Sequence, residues 1–179
     1  GLVMMAVINN SYVNVATSFF GSKFSRSVEE LLVSPLSAPV VLFSYLCGGL
    51  LRAIIVSILI VCVAFMFVHV TIYHVMLTFL IVILSSMIFS AAGFLNGVFA
   101  NSFDTVSIVP SFILTPLVYL GGVFYQVNQL PPAWHAVLKY NPIYYIVDSF
   151  RQAMLYKQVH VATDLIVFVC LLTALTATC

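Results

Sequence analysis

The chain has 179 residues, of which 63% are hydrophobic and 6% are charged, and its mean hydropathy is +1.19. A soluble domain carries about 25% charged residues, so this composition excludes a soluble globular protein and indicates a membrane protein surrounded by lipid. The formal net charge of +1 argues against a nucleic-acid partner, which requires a basic surface.

The apolar runs predict an all-α, polytopic bundle of transmembrane helices. A bilayer core about 30 Å thick requires about 20 apolar helical residues, and five runs approach that length. They cover residues 2–20, 50–70, 75–99, 106–124 and 165–179. The chain begins without a methionine or a charged leader, and its last run is short. We therefore expect a fragment of a longer protein, incomplete at both ends.

The first predicted span carries amides at Asn9, Asn10 and Asn14. Lipid offers these groups no hydrogen-bond partner, so we expect them to face other helices or an aqueous path. The sequence leaves both roles open, structural hydrogen bonding and pathway lining.

A polar stretch follows at residues 21–37. Ser27 and Glu30 fit a capping box, in which the serine bonds the first helical turn and the glutamate bonds back. Glu29 adds a second acid at the positive helix end, and Leu31 and Leu32 follow. This pattern predicts about two turns of amphipathic helix. It could connect two spans along the membrane surface or dock a water-soluble partner.

Glycine and proline divide or bend the later spans. We expect Gly48-Gly49 to separate an interfacial approach at residues 38–47 from the span 50–70, which places Arg52 near a membrane surface that its long side chain can reach. Gly93 and Gly97 form a G-x-x-x-G motif that permits close helix packing. Pro110 and Pro116 should kink the fourth span, because each removes a backbone hydrogen bond.

Residues 126–160 predict two short helices interrupted by Asn141-Pro142. The second helix has an apolar face with the 3, 4, 7 spacing that includes Phe150. Asp148 and Arg151 are three residues apart on it and can pair. Trp134 suits the membrane interface. Without further information, the segment could be an amphipathic pair that lies on the membrane.

The sequence provides no candidate catalytic or metal centre. It has no G-x-S-x-G, no H-E-x-x-H and no phosphate loop of the form G-x-x-x-x-G-K-[ST]. The four cysteines lack C-x-x-C spacing and fit packing roles. The basic residues also leave the orientation undetermined, because they divide three against three between the two sides: Lys23, Arg26 and Arg52 against Lys139, Arg151 and Lys157.

Three blocks together resemble the type-2 permease family of ABC transporters, in particular small bacterial inner-membrane permeases that pair with a separate ATPase. The blocks are FSRSVEELLVSPLSAPVVLFSY, GFLNGVFANSFDTVSIVPSFILTPLVYLGGVFY and LPPAWHAVLKYNPIYYIVDSFRQAM. The resemblance implies a single permease domain over residues 1–179 that corresponds to helices two to six of six. It places residues 21–37 in the cytoplasm and residues 126–160 at the outer face.

The family resemblance also assigns roles. The helix with Ser27, Glu29, Glu30, Leu31 and Leu32 would be the coupling helix that seats on the ATPase. The outer segment would be a re-entrant hairpin that caps the pathway, with gate residues Trp134, Asn141, Pro142, Asp148, Phe150 and Arg151. The protein would act as an exporter built from two permease copies, with ATP and magnesium bound only by the partner ATPase.

Two other functions remain open at this point. A non-transporting membrane anchor or assembly factor could use the same cytoplasmic helix to recruit a partner. A secondary transporter is less well supported, since proton or sodium coupling normally uses a carboxylate inside the membrane, and the acids here lie near segment ends.

Overall fold

The computed structural model describes residues 1–25, 37–67, 73–124 and 141–155, together with residues 170, 173 and 176. Its helical elements run in chain order as follows: α1 (Leu2–Phe24), α2 (Ala38–Phe67), α3 (Val75–Phe99), α4 (Phe103–Val109), a π turn (Pro110–Leu114), α5 (Thr115–Leu120) and α6 (Pro142–Leu155). The described residues contain no strand, which confirms the all-α prediction.

Within these ranges, three helical stretches are long and apolar enough to cross a membrane: Pro39–Phe67, Val75–Phe99 and Phe103–Leu120. Helix α1 has the position predicted for the first span and a length of 23 residues, although its asparagines make it more polar than the other three. The predicted span at residues 165–179 lies almost wholly outside the described residues.

Helix α1 is the centre of the bundle. It packs against α3 and α2, which also contact each other, and it touches α4 and the π turn on another side. Helix α6 lies across one end, against α3 and α5. We call this end the α6 end. The opposite end, where α1 and α3 finish and α4 begins, is the Lys23 end.

The G-x-x-x-G motif holds α3 against α1, as the sequence predicted. A Cβ atom placed at Gly93 would collide with the carbonyl oxygen of Tyr12, and one at Gly97 would lie 3.1 Å from the carbonyl oxygen of Ala16. The two backbones can approach this closely only because neither glycine has a side chain. Packing within the chain is therefore the use of the motif.

The predicted break at Gly48-Gly49 is wrong, because α2 is one continuous helix of 30 residues. Gly49 instead provides space, since a Cβ atom there would collide with the Ser90 hydroxyl and lie 2.7 Å from a Val15 methyl group. In lipid a helix keeps its backbone hydrogen bonds even at glycines, because no other partner is available. Arg52 consequently lies midway along α2 and not near its end.

Proline interrupts the fourth span as expected, but by a change of helix type. Pro110 opens a π turn in which the Thr115 N–H bonds the Pro110 carbonyl oxygen, and the Thr115 hydroxyl donates to the same oxygen at 2.8 Å. Pro116 then occupies the first turn of α5, where its missing N–H costs little. The fourth span is thus two short helices joined by a widened turn.

The glycine contact gives a direct stability prediction. Gly93→Ala should destabilise the protein in detergent by about 1–3 kcal/mol, because the added methyl group has no space beside Tyr12. Gly48→Ala is the matched control, since a Cβ atom there meets no neighbouring atom and alanine favours helix by about 0.5–1 kcal/mol. Thermal unfolding measures both variants, and equal midpoints would contradict the close contact.

Candidate functional site

One face of α1 is polar and open to the surroundings. Asn10, Asn14, Thr17 and Ser18 share it through helical spacing, and each is at least partly exposed. We call these four residues the polar face. Elsewhere the outer surface is lined by large apolar side chains, including Phe43, Ile58 and Phe79. The polar face therefore differs in chemistry from the lipid-suited surfaces beside it.

The asparagines predicted to line a pathway have different hydrogen-bond partners. Asn9 and Asn10 donate to carbonyl oxygens one turn earlier in α1, those of Met5 at 3.0 Å and Ala6 at 2.9 Å. The Asn14 side-chain oxygen instead accepts from the Arg52 guanidinium at 3.1 Å. Each primary amide has further hydrogen-bonding capacity beyond these contacts. Structural bonding and surface exposure thus occur together at all three positions.

Beside the polar face, a groove of about 310 Å³ separates α1 from the broken fourth span. It is lined by alternating hydroxyl, amide and small apolar groups. The lining residues are Asn9, Val13, Thr17, Val106, Ser107, Pro110, Ser111 and Thr115. Thr17 belongs to both surfaces, so the polar face and the groove are continuous.

The groove is supported by a side chain from α3. Pro110 has no N–H, so it cannot bond the Val106 carbonyl oxygen one turn earlier. Asn96 supplies the missing donor, with its side-chain nitrogen 3.0 Å from that oxygen. The Asn96 side chain also hydrogen-bonds Tyr12 of α1. One amide therefore fixes the π turn relative to both α1 and α3.

At the Lys23 end, a cation joins two helix termini. The Lys23 ammonium donates to the carbonyl oxygens of Val98 at 2.9 Å and Ala100 at 3.0 Å. A positive charge there also complements the negative end of α3. Helix α4 begins beside this contact with Ser102 as its N-cap, whose hydroxyl accepts from the Thr105 N–H at 3.2 Å. The Lys23 bonds therefore hold the end of α1 against the end of α3, beside the start of α4.

The predicted coupling helix continues from that corner. Its residues Ser27, Glu29, Glu30, Leu31 and Leu32 lie outside the described residues. The helix that precedes them in the chain, α1, ends at Phe24, next to Lys23.

At the α6 end, Asn141 links two helices. Its side-chain oxygen accepts from the Ile143 N–H at 3.0 Å, and its side-chain nitrogen donates to the Leu117 carbonyl oxygen at 2.8 Å. Asn141 is 8% exposed, so both ends of this buried amide are satisfied. Pro142 is the first residue of α6, a position at which proline is favoured.

The predicted pairing of Asp148 with Arg151 is wrong. Asp148 accepts from Gln152 at 2.7 Å, one turn along α6. Arg151 reaches in a different direction and donates to the Gly122 carbonyl oxygen at 2.8 Å. Gly122 has a φ of 79°, a conformation suited to glycine that turns its carbonyl group. Arg151 thus fastens α6 to the end of α5.

The apolar face of α6 packs as its sequence spacing predicted. Ile143, Ile146, Val147 and Phe150 are buried, and Phe150 is only 2% exposed. At the other end of α6, the backbone N–H groups of Tyr73 and His74 lie 3.3 Å from carbonyl oxygens of Met154 and Ala153.

Of the predicted gate residues, Trp134 lies outside the described residues. The others all belong to α6 and its N-cap.

The comparisons with known proteins are consistent with this geometry. The sequence profile of the ABC-2 type transporter family matches residues 1–155. The chain belongs to the ABC-2 type transporter family. This ABC-2 chain is 48% identical over 155 residues to the inner membrane transport permease YadH of Escherichia coli K12 and to YadH of Shigella flexneri.

The YadH match covers 87% of this chain and 60% of the relative, so the ABC-2 chain spans about three fifths of the relative's length. Nodulation protein J of Rhizobium leguminosarum bv. viciae is 25% identical over 75 residues, which cover 42% of this chain and 29% of the relative. No solved structure matches the chain. Together with the three apolar helices, the family match identifies the membrane domain of an ABC-2 type transporter.

Two residues of the ABC-2 chain were missed by the sequence reasoning. Asn96 lies inside the G-x-x-x-G motif. Pro110 in the next span leaves a backbone carbonyl group without its usual N–H donor, which indicates that a donor from another residue is needed nearby. In the sequence, Lys23 contributes only to the charge count that bears on orientation. Its position at the end of a span could have indicated a helix-capping role.

The support from Asn96 is testable. Asn96→Leu should destabilise the protein by about 1–3 kcal/mol, because it leaves the Val106 carbonyl oxygen without its donor. Amide hydrogen exchange across residues 103–120 should also become faster. Asn101→Leu is the control, since Asn101 is exposed. Unchanged exchange in the Asn96 variant would show that the π turn does not depend on this bond.

Proposed function

We propose that this chain is the membrane-spanning permease subunit of an ATP-driven export system. The observation that carries the proposal is the exposed polar face of α1, continuous with a groove containing Ser107, Ser111 and Thr115. Such side chains are poorly suited to contact with lipid, so this surface fits a location between protein subunits or beside water.

A second copy of the chain is the simplest cover for this surface. A two-fold axis would bring the same face from each copy together, and the polar groups of both copies would then line one pathway. Membrane lipid would contact the remaining apolar exterior. We further propose that residues 1–179 form one domain and that Asn9, Asn10 and Asn14 contribute to this lining.

Energy would come from a separate ATPase subunit that binds ATP and magnesium. The coupling helix with Ser27, Glu29 and Glu30 would seat on that subunit on the cytoplasmic side. Helix α1 links this segment to the polar face, and Lys23 ties its end to α3. ATP binding and hydrolysis would bias inward- and outward-open states by changing contacts at the coupling helix.

The outer hairpin would form the exit gate. Its described half, α6, is fastened through Asn141 to α5, through Arg151 to Gly122, and through backbone bonds to the start of α3. Opening would therefore require that some of these bonds break. A gate held by a few hydrogen bonds can be closed at rest and still open on a conformational change.

A membrane anchor or assembly factor is the alternative function. It would use the coupling segment to hold a partner and would need neither the polar face nor a movable α6. The two experiments below separate these functions.

The first experiment tests coupling. In the full-length permease, Glu29→Lys combined with Glu30→Lys should abolish substrate-stimulated ATP hydrolysis by the ATPase, because both charges would be reversed at the docking surface. Membrane insertion should be unchanged. Asp104→Lys is the control, because Asp104 is exposed at the same end of the bundle but lies on α4. If the double variant couples like the parent, the docking assignment is wrong.

The second experiment tests the gate. Tyr73 and Leu155 are exposed, and the Tyr73 N–H lies 3.3 Å from the Met154 carbonyl oxygen, next to Leu155. Cysteines at these two positions, in a variant without the native cysteines, would form a disulfide between α6 and the start of α3. Oxidation should stop export, and reduction should restore it, while ATPase binding stays intact. The single-cysteine variants provide the control. Full export with a verified crosslink would eliminate α6 as a moving gate.

A further inference from the structure

Arg52 places a charge near the middle of the bundle. It lies midway along α2, and its partner Asn14 lies about 18 Å from the start of α1 and about 15 Å from its end, at 1.5 Å per residue. The two side chains meet at 3.1 Å. If a bilayer core about 30 Å thick is centred on α1 and α2, the pair lies near its middle.

The described residues provide no carboxylate for this cation. Asp104 lies in the first turn of α4 at the Lys23 end, and Asp148 bonds Gln152 at the α6 end. Asn14 offers one neutral oxygen, whereas a guanidinium carries five N–H donors. A charged side chain inside the membrane is costly and normally pairs with another group.

A second copy of the chain does not supply the missing anion in the middle of the membrane. The remaining acids are Glu29, Glu30 and Asp164, and the sequence places them outside the middle of the predicted spans. A two-fold axis along the pathway keeps every residue at the same depth. Among residues 1–179, the sequence and the described structure therefore place no acid beside Arg52, and its guanidinium has N–H donors left for an added anion.

The surroundings of Arg52 combine charge with apolar surface. Its side chain is exposed and adjoins the polar face through Asn14. On the same helix, Leu51 is 60% exposed and Ile55 is 58% exposed. A guanidinium binds carboxylate and phosphate groups through paired hydrogen bonds, and the neighbouring leucine and isoleucine are suited to hydrocarbon.

We infer that Arg52 and Asn14 bind the anionic group, a carboxylate or a phosphate, of an amphipathic molecule that the permease transports. The inference rests on the proposed export function and adds the charge of the cargo to it. Its test measures binding without ATPase or nucleotide, so failure of transport and failure of the site give different results.

The experiment uses the full-length permease in phosphatidylcholine vesicles, with a fluorescent long-chain fatty acid and its methyl ester as probes at alkaline pH. The parent should bind the acid about tenfold more tightly than the ester, the value expected for one charge-assisted contact. Arg52→Gln should remove this preference, and Arg52→Lys should retain most of it. Equal binding of acid and ester by the parent would overturn the inference.

Two further variants separate binding from general damage. Asn14→Asp should abolish the preference for the acid, because the new carboxylate would occupy the guanidinium. Lys23→Gln removes a positive charge at the Lys23 end and should leave the preference unchanged. If Arg52→Gln lowers the dimer yield and leaves the preference intact, Arg52 is an interface residue and the inference is wrong.

A last arm distinguishes cargo from membrane lipid, since both can carry an anionic group. In vesicles containing phosphatidylglycerol, the permease should bind the fatty acid as tightly as it does in neutral vesicles. Displacement of the probe by phosphatidylglycerol, with the same dependence on Arg52, would assign the site to lipid and overturn its assignment to cargo.

Discussion

The close contact between α1 and α3 is the interaction on which the rest of the bundle depends. Gly93 and Gly97 bring the α3 backbone against Tyr12 and Ala16, and this fixes which side of α1 is covered. Helix α2 then packs on a second side through Gly49, and the fourth span packs on a third. The side that remains carries the amides and hydroxyls. The polar face is thus defined by the packing of the other three sides.

The same contact explains how the membrane protein tolerates an interrupted span. Asn96 lies between the two glycines of the motif, so the approach of α3 to α1 also carries its amide to the π turn. There it replaces the backbone donor that Pro110 lacks, as lipid surroundings require. Interruptions of this type occur often at functional sites. Here the interruption forms one wall of the groove, and a neighbouring helix, not the span itself, supplies its stability.

The sequence was sufficient where a single local pattern determines the structure. Apolar run length located the described spans, the glycine spacing predicted the packing of α3, and the apolar spacing of α6 predicted its buried face. It failed where tertiary contacts compete with a local signal. Gly48-Gly49 has the composition of a break, but Gly49 provides space for Val15 and Ser90. Asp148 and Arg151 are three residues apart, a spacing that permits pairing on a helix. Arg151 instead donates to the carbonyl oxygen of Gly122, which the positive φ of that glycine turns toward it. The coupling helix remains a prediction.

The Asn14–Arg52 contact also affects biogenesis. Because α1 precedes α2 in the chain, insertion in chain order would bring the Asn14 amide into the membrane before Arg52. Arginine at the centre of a helix costs about 2.5–3.5 kcal/mol on insertion scales. An 18-residue window within Pro39–Phe67 reaches a mean hydropathy of 2.8, and insertion of these apolar residues offsets that cost. Insertion in that order would give the Arg52 guanidinium a hydrogen-bond acceptor as soon as α2 enters the membrane.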